Sequence, residues 1–430
     1  MASTAATVCV RPRGFVKKFI EVKKWRTPVR YDNRMDEFLH SALKISFHFR
    51  KGFPIGKIPV LIVYPGFFSV VAAMQWTNPI TQLYGIDYPI IQAPMLGVTT
   101  PAMVAGVSNA GGLGSLPVGG LSADLTQTLI RQTKALTNRP FAVNLFTHAI
   151  PEPEPTQVEA MQAYLSRLAQ RHALPYESPD FSKLKGHSYT EQLEVLVQEK
   201  IPIVSFTFGR LSPEAIRLLK NAGCLLNGTA TSVAEAEVLA KDGMDVITVQ
   251  GIEAGGHRGT FLTEEPLPQV GLMALLPQVA ERVSIPLLAA GGIYNGRGIR
   301  AAFTLGASGV QMGTAFTASA ESAAIPAYKD KLFESSETDT ALTRSFSGRW
   351  ARGIRNAFLQ EVEQSGLVIP AYPIQNSLTT PLRKVAQQQN NAACTTLWAG
   401  QAASKAEAKS VADIIKRLVA ETEAVSALHF

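Results

Sequence analysis

The sequence predicts an α/β fold, a closed (β/α)8 TIM barrel over residues 74–330, and three observations predict it. Eight short apolar runs fall at 90–95, 113–117, 141–146, 201–208, 224–230, 245–251, 286–292 and 309–316. Between most of them lie stretches with apolar residues at three- and four-residue spacing, at 123–136, 213–222, 232–242, 271–282 and 296–305. Fully apolar strands alternating with amphipathic helices bury a parallel sheet on both faces, and eight repeats close it into a barrel. The last two strands end in Ala-Ala-Gly-Gly at 289–292 and in Gln311-Met-Gly-Thr314. Barrels of this kind hold phosphate there, because glycine exposes backbone N–H groups and the next helix starts at once.

Taken in order, the first strand stops at Ala93-Pro94-Met95, where proline removes a ladder donor; the turn also offers a surface on which a flat ligand can pack. The third ends at Asn144 and is followed by a long connection, 147–200, entered through Pro-Glu-Pro-Glu-Pro at 151–155. That connection reads as an insertion near the active face, not as a domain. Cys224 opens the fifth strand and is expected to be buried. The sixth runs out into Gln250-Gly-Ile-Glu-Ala-Gly-Gly-His257. Residues 331–430 read as a helical C-terminal region covering the active face, with a polar loop at 387–393 and a helix-rich end at 402–428.

The histidine turn carries the chemistry. Histidine is the side chain whose ordinary pKa lets it exchange a proton near neutrality, and the two glycines before it allow close approach of a ligand to the backbone. A turn histidine in isolation is more often solvated or structural; its place at a barrel strand end is what singles out His257. Glu253 is expected to anchor this loop, not to move protons. Tyr372, Arg349 and Arg352 are candidates for shaping a pocket, against the plainer expectation that the arginines are solvated on a C-terminal helix.

Composition narrows the remaining classes. Cys9, Cys224 and Cys394 are widely separated, with no paired spacing and no histidine at zinc-ligand distance, so neither a metal site nor a disulfide framework is expected, and a reducing cytoplasm suits them. No nucleotide-binding glycine fingerprint follows a strand and no Walker lysine is present. Residues 1–73 hold thirteen Lys or Arg against four Asp or Glu, a net of +9 that exceeds the whole chain's +7. The basic character therefore belongs to this N-terminal extension, and no nucleic-acid partner is inferred. Its uncharged run at 58–82 is broken by Pro59, Pro65 and Gly66, so no membrane anchor is expected. Barrel-like text starts at Met74, and the extension is read as poorly packed and outside the native fold.

Several segments together carry a family resemblance: Gln92-Ala-Pro-Met-Leu-Gly-Val-Thr-Thr-Pro101, Val107-Ser-Asn-Ala-Gly-Gly-Leu-Gly-Ser-Leu116, Val143-Asn-Leu-Phe146, the histidine turn and the two glycine turns. Ser347-Gly-Arg-Trp-Ala-Arg-Gly353, Tyr372-Pro-Ile-Gln-Asn376 and Leu397-Trp-Ala-Gly-Gln401 extend it through the tail. In this order, over roughly 75–430, they resemble nitronate monooxygenase, formerly called 2-nitropropane dioxygenase. The resemblance implies an FMN enzyme that oxidises alkyl nitronates, such as propionate 3-nitronate, with dioxygen to an aldehyde or keto product plus nitrite. It implies that Asn144, Gln250, Gly255, Gly292, Gln311, Met312, Gly313 and Thr314 hold FMN and that His257 is the catalytic histidine. A nitronate is already deprotonated, so His257 would orient or hold its oxygens, with a base role only towards neutral nitroalkanes. Two other classes share parts of the pattern: a flavin-dependent enoyl-acyl-carrier-protein or NAD(P)H:quinone reductase, and a phosphate-binding barrel without redox chemistry.

Overall fold

The computed structural model describes residues 75–180, 186–263 and 265–425. The expectation of a poorly packed extension over 1–73 lies outside the described residues. Eight parallel strands form the barrel: β1 (Ile90–Gln92), β2 (Ser115–Pro117), β3 (Ala142–Phe146), β4 (Ile203–Thr207), β5 (Leu225–Ala230), β6 (Val246–Gln250), then, after a two-residue β7 (Gly256–His257) outside the barrel, β8 (Leu287–Ala290) and β9 (Gly309–Met312). The sheet order is β1-β9-β8-β6-β5-β4-β3-β2. Its two ends meet through a parallel bridge between Ile91 and Leu113, with Gln92 N donating to Leu113 O at 2.9 Å and Leu113 N to Ile90 O at 3.0 Å. The Gln92 side chain accepts from Ser115 N at 3.0 Å and so ties the same seam. This is the predicted (β/α)8 barrel, with strands shorter than their apolar runs; at β1, β8 and β9 the runs continue into turns that line the site.

Burial explains the uninterrupted apolar runs. Val143, Val204, Leu226, Ile247, Ala289 and Val310 pack outward beneath the helices. Ile91, Leu113, Ile203, Val246 and Leu288 form a separate inner cluster with Ile80, Tyr84 and Ile86. The last three belong to the helix Pro79–Tyr84 and the residues after it, the helix being started by an Asn78–Thr81 capping box and ended by Gly85 at φ 66°. Both faces of each strand are therefore dry, as a parallel sheet requires.

The C-terminal region is not wholly helical. Two of its segments, β10 (Thr340–Thr343) and β11 (Ala351–Ile354), form an antiparallel sheet with β7 in the order β10-β11-β7. Residues 387–388, expected in a loop, still belong to the helix Ile374–Gln388, which turns only at Asn390. That helix packs against Pro155–Arg171, the main helix of the 147–200 connection, through Val158, Met161, Leu165, Leu378 and Leu382. Two parts of the chain some two hundred residues apart thus form one satellite core beside the barrel. Among the described residues no helix is long and apolar enough to cross a membrane, and no group of His, Cys, Asp and Glu has the makings of a metal site.

Candidate active site

A cavity of about 630 Å³ opens at the C-terminal ends of the barrel strands. All nine sequence-predicted positions line it: Asn144 from β3, Gln250 from β6, Gly255 and His257 from the turn after it, Gly292 after β8, and Gln311, Met312, Gly313 and Thr314 from β9 and its exit. Its outer wall is C-terminal, with Tyr372, Asn376, Arg383 and Trp398, and the 147–200 connection adds His148, Gly186 and His187. The described residues lining it include no Asp or Glu.

His257 is set by pairing that no local pattern reveals. In β7 it lies opposite Ala351 of β11, and Arg258 N donates to Trp350 O at 2.8 Å. The pairing carries its ring among Phe208, Trp398 and Tyr372, with centroids at 5.5, 5.3 and 6.0 Å. Its Nε2 meets Ser347 Oγ at 2.8 Å, while Nδ1 makes no hydrogen bond to a described residue and is not sealed off. The Ser347 hydroxyl can donate to Nε2 or accept from it, so the serine permits either tautomer: Nδ1 bears a proton in one and a lone pair in the other.

Electrostatics keep this imidazole neutral. Burial, then Arg349, Arg383 and His148, push the His257 pKa down to about 3. His148, whose Nδ1 is buried without a partner, is lowered to about 4 by burial and by Arg349. Burial also raises the Tyr372 phenol to about 12, so it stays protonated. Both histidines titrate near 6.5 when unfolded. Below that pH the unfolded chain takes up protons that the native chain refuses, so stability is full above pH 6.5 and falls as pH drops towards 4. In the ligand-free protein, the melting temperature is expected to fall between pH 6.5 and 5, and a His148→Gln, His257→Asn double variant to show a shallower fall. Equal slopes in parallel thermal melts would remove these histidines as the cause.

The turn itself is braced from below. Gln250 Oε1 accepts from Gly259 N at 2.9 Å and from Arg258 Nη1 at 3.0 Å, and its Nε2 donates to the His257 carbonyl at 3.0 Å. Gln250 thus lines the cavity but spends its amide largely on the loop. Fully buried Arg258 also donates to Gly251 O at 2.6 Å. The Glu253 carboxylate accepts from Leu272 N at 2.9 Å, the anchoring expected of it. Gly255 is a site of close approach: a Cβ there would lie 2.4 Å from Gly400 N and 2.5 Å from the Ala399 carbonyl carbon. Its side-chain space is taken by the tail, so its lack of a side chain serves packing first.

The polar equipment for a ligand lies opposite. The Gln311 carboxamide sits on a barrel strand between buried Val310 and Met312, yet makes no hydrogen bond to a described residue and lines the cavity. Asn144 Nδ2 donates to Ser205 Oγ at 3.0 Å, which fixes the amide and leaves its oxygen as an acceptor. Gly292, at φ 68°, turns the chain out of β8, and the next helix begins at Gly296, capped by Asn295. Thr314 Oγ1 accepts from Gly400 N at 3.0 Å, holding the tail against the exit of β9. Amides on the strand ends and open glycine backbone at the last two fit a flat heteroaromatic ligand with a phosphate tail.

Arg349 and Arg352 depart from expectation: neither is on an exposed helix. They are only 8% and 7% exposed. Arg349 lies 4.4 Å over the Phe208 ring and donates to Thr260 O; Arg352, in β11, donates to Ile252 O at 3.0 Å and Thr340 Oγ1 at 3.2 Å. Their task is to clamp both sides of the histidine turn. His148, Phe208, Ser347 and Arg383 were not singled out from sequence. Only the quoted tail segments held a signal, and only for Ser347.

Comparison with known proteins places this geometry in a family. The family model for nitronate monooxygenase matches residues 77–421. The chain is similar to a Staphylococcus aureus (strain MSSA476) protein named "Probable nitronate monooxygenase", 43% identical over 343 residues that cover 80% of this chain and 96% of that one. Among solved structures, it is similar to a nitroalkane oxidase from Streptomyces ansochromogenes (39% identity, TM-score 0.73, 80% of this chain and 98% of that one). FabK from Thermotoga maritima is also similar, at 29% identity and TM-score 0.64 over 81% of this chain and 96% of that one.

Proposed function

The chain belongs to the nitronate monooxygenase family, and on that premise we propose that it is an FMN-dependent oxidoreductase that converts alkyl nitronates such as propionate 3-nitronate, with dioxygen, to an aldehyde or keto product and nitrite. One observation carries the reading: nine residues from five separate segments line a single cavity whose described wall has no carboxylate, beside a neutral imidazole with one nitrogen that has no hydrogen-bond partner among the described residues. An anion entering such a cavity meets no like charge, and the cationic Arg383 faces it.

FMN, when bound, supplies the electron acceptor for the nitronate and the route of those electrons to dioxygen. The residues divide the rest of the work. Gln311 and the Asn144 oxygen are available to the polar edge of the isoalloxazine, and the backbone at Gly292 and Gly313 to the phosphate. Protonated on Nδ1, His257 donates a hydrogen bond to a nitronate oxygen and so orients the carbon that is oxidised. Protonated on Nε2, it has a lone pair that can take the α-proton of a neutral nitroalkane, with Ser347 holding the other nitrogen. Phe208, Trp398 and Tyr372 keep bulk water from the reacting carbon, which strengthens each of these contacts.

The test is direct. Purified full-length protein is expected to be yellow, to release FMN on denaturation, and to produce nitrite from propionate 3-nitronate under air. A colourless protein that does not take up FMN would select the phosphate-binding barrel. Rapid anaerobic bleaching of the flavin by NADPH, without nitrite release from nitronates, would select the reductase.

A further inference from the structure

The cavity has a second point of attachment besides His257, on a residue whose charge helps to lower the His257 pKa. Arg383 lies on the helix Ile374–Gln388, in the outer wall. Its guanidinium is held in place by one nitrogen: Nη2 donates to Asn376 O at 3.0 Å, Asn376 Oδ1 at 2.8 Å and Thr380 Oγ1 at 2.7 Å. Nε is sealed and has no partner, whereas Nη1 is not sealed and makes no hydrogen bond to a described residue. No Asp or Glu of the described wall neutralises it. A cation fixed through neutral groups, with one terminal nitrogen uncommitted over a cavity, is a preorganised receptor for an anion.

Resting on the family reading above, we propose that Arg383 is a specificity-determining residue that binds a carboxylate at the far end of the substrate chain, so that this enzyme favours nitronates carrying a second negative charge over uncharged ones of equal length. The nitronate head lies at His257 and the distal carboxylate at Arg383, with Tyr372 along the wall between the two elements that carry them. Burial lowers the Arg383 pKa only to about 10, so the cation persists at neutral pH. His257, by contrast, is kept neutral and cannot supply the charge.

Two measurements test this. Nitrite release is compared for propionate 3-nitronate and propyl-1-nitronate, which differ by a carboxylate in place of a methyl group. A charge-assisted hydrogen bond is typically worth about ten- to a hundredfold in kcat/KM, and Arg383→Met is expected to lose that much more on the carboxylated substrate than on the other, mainly through KM. Arg383→Lys should recover part of the difference. Independently of turnover, calorimetry on the wild-type protein should show succinate binding at least about tenfold tighter than butyrate, with the gap closed in Arg383→Met. Equal losses on both nitronates, or no preference for succinate, would overturn the proposal, since a merely structural arginine predicts both. Succinate selectivity without nitrite from either nitronate would retain the Arg383 site and overturn the nitronate reading instead.

Discussion

Replacing His257 with alanine is expected to lower kcat/KM for alkyl nitronates by about a hundredfold, the loss typical of one oriented donor at a charged reacting group. Asparagine separates the two roles of the ring. Its amide can still donate near the Nδ1 position but cannot act as a base. His257→Asn should therefore cost about tenfold on a preformed nitronate and about a thousandfold or more on the corresponding neutral nitroalkane, where proton abstraction is required. The expectation follows from the site: Nε2 is taken by Ser347 at 2.8 Å, and Nδ1 is the nitrogen left to a ligand. With the pKa pushed to about 3, no inflection from His257 should appear in the kcat/KM profile between pH 5.5 and 8. Full rates for His257→Asn on both substrates, measured as nitrite release with the flavin content matched, would take His257 out of the mechanism.

The largest effect on stability is expected at Glu235, a residue with no part in the chemistry. Its carboxylate is 1% exposed and is a hub for the loop after His257. It accepts from Thr231 N at 2.6 Å and Thr231 Oγ1 at 2.8 Å on one side. On the other it accepts from Phe261 N at 2.6 Å, Leu262 N at 3.1 Å and Thr260 Oγ1 at 3.0 Å. Removing it strands several buried donors at once, each worth about 1–3 kcal/mol when left unmet. Glu235→Ala should therefore lose at least about 3 kcal/mol in urea unfolding. Glu235→Gln, which keeps one acceptor oxygen and turns an amide towards N–H groups, should fall between. A loss below about 0.5 kcal/mol, the range of an ordinary surface change, would mean that the loop is held by other contacts.

How far the site could be read in advance varies by residue. Asn144, Gln250, Gly292 and Gln311 were legible through the family resemblance; Gln250 and Gly292 also stand at the close of their apolar runs, a local pattern, whereas Asn144, expected at the end of its strand, lies in the middle of β3 and Gln311 lies inside β9. His257 was legible as a candidate on both grounds. Arg349 and Arg352 were misplaced because arginine in a polar stretch reads as solvated; their burial depends on β11 pairing with β7, a contact across nearly a hundred residues. The helical reading of the tail failed at β10 and β11 for a related reason: four-residue strands that pair outside the barrel have too little length to show a period of two. His148 and Arg383 carried no signal, since a lone basic residue after a strand or inside a polar helix is ordinary.

The amino-acid order by itself determined the barrel and the ring of strand ends around its mouth, because hydrophobic period and turn residues act over a few positions and repeat eight times. Only the tertiary structure decided the character of the site: that His257 is neutral, that one of its nitrogens has no partner among the described residues, and that the outer wall offers a fixed cation and no described carboxylate. Those properties come from desolvation and from charges brought close by distant parts of the chain, and neither is set until the tail has closed over the barrel.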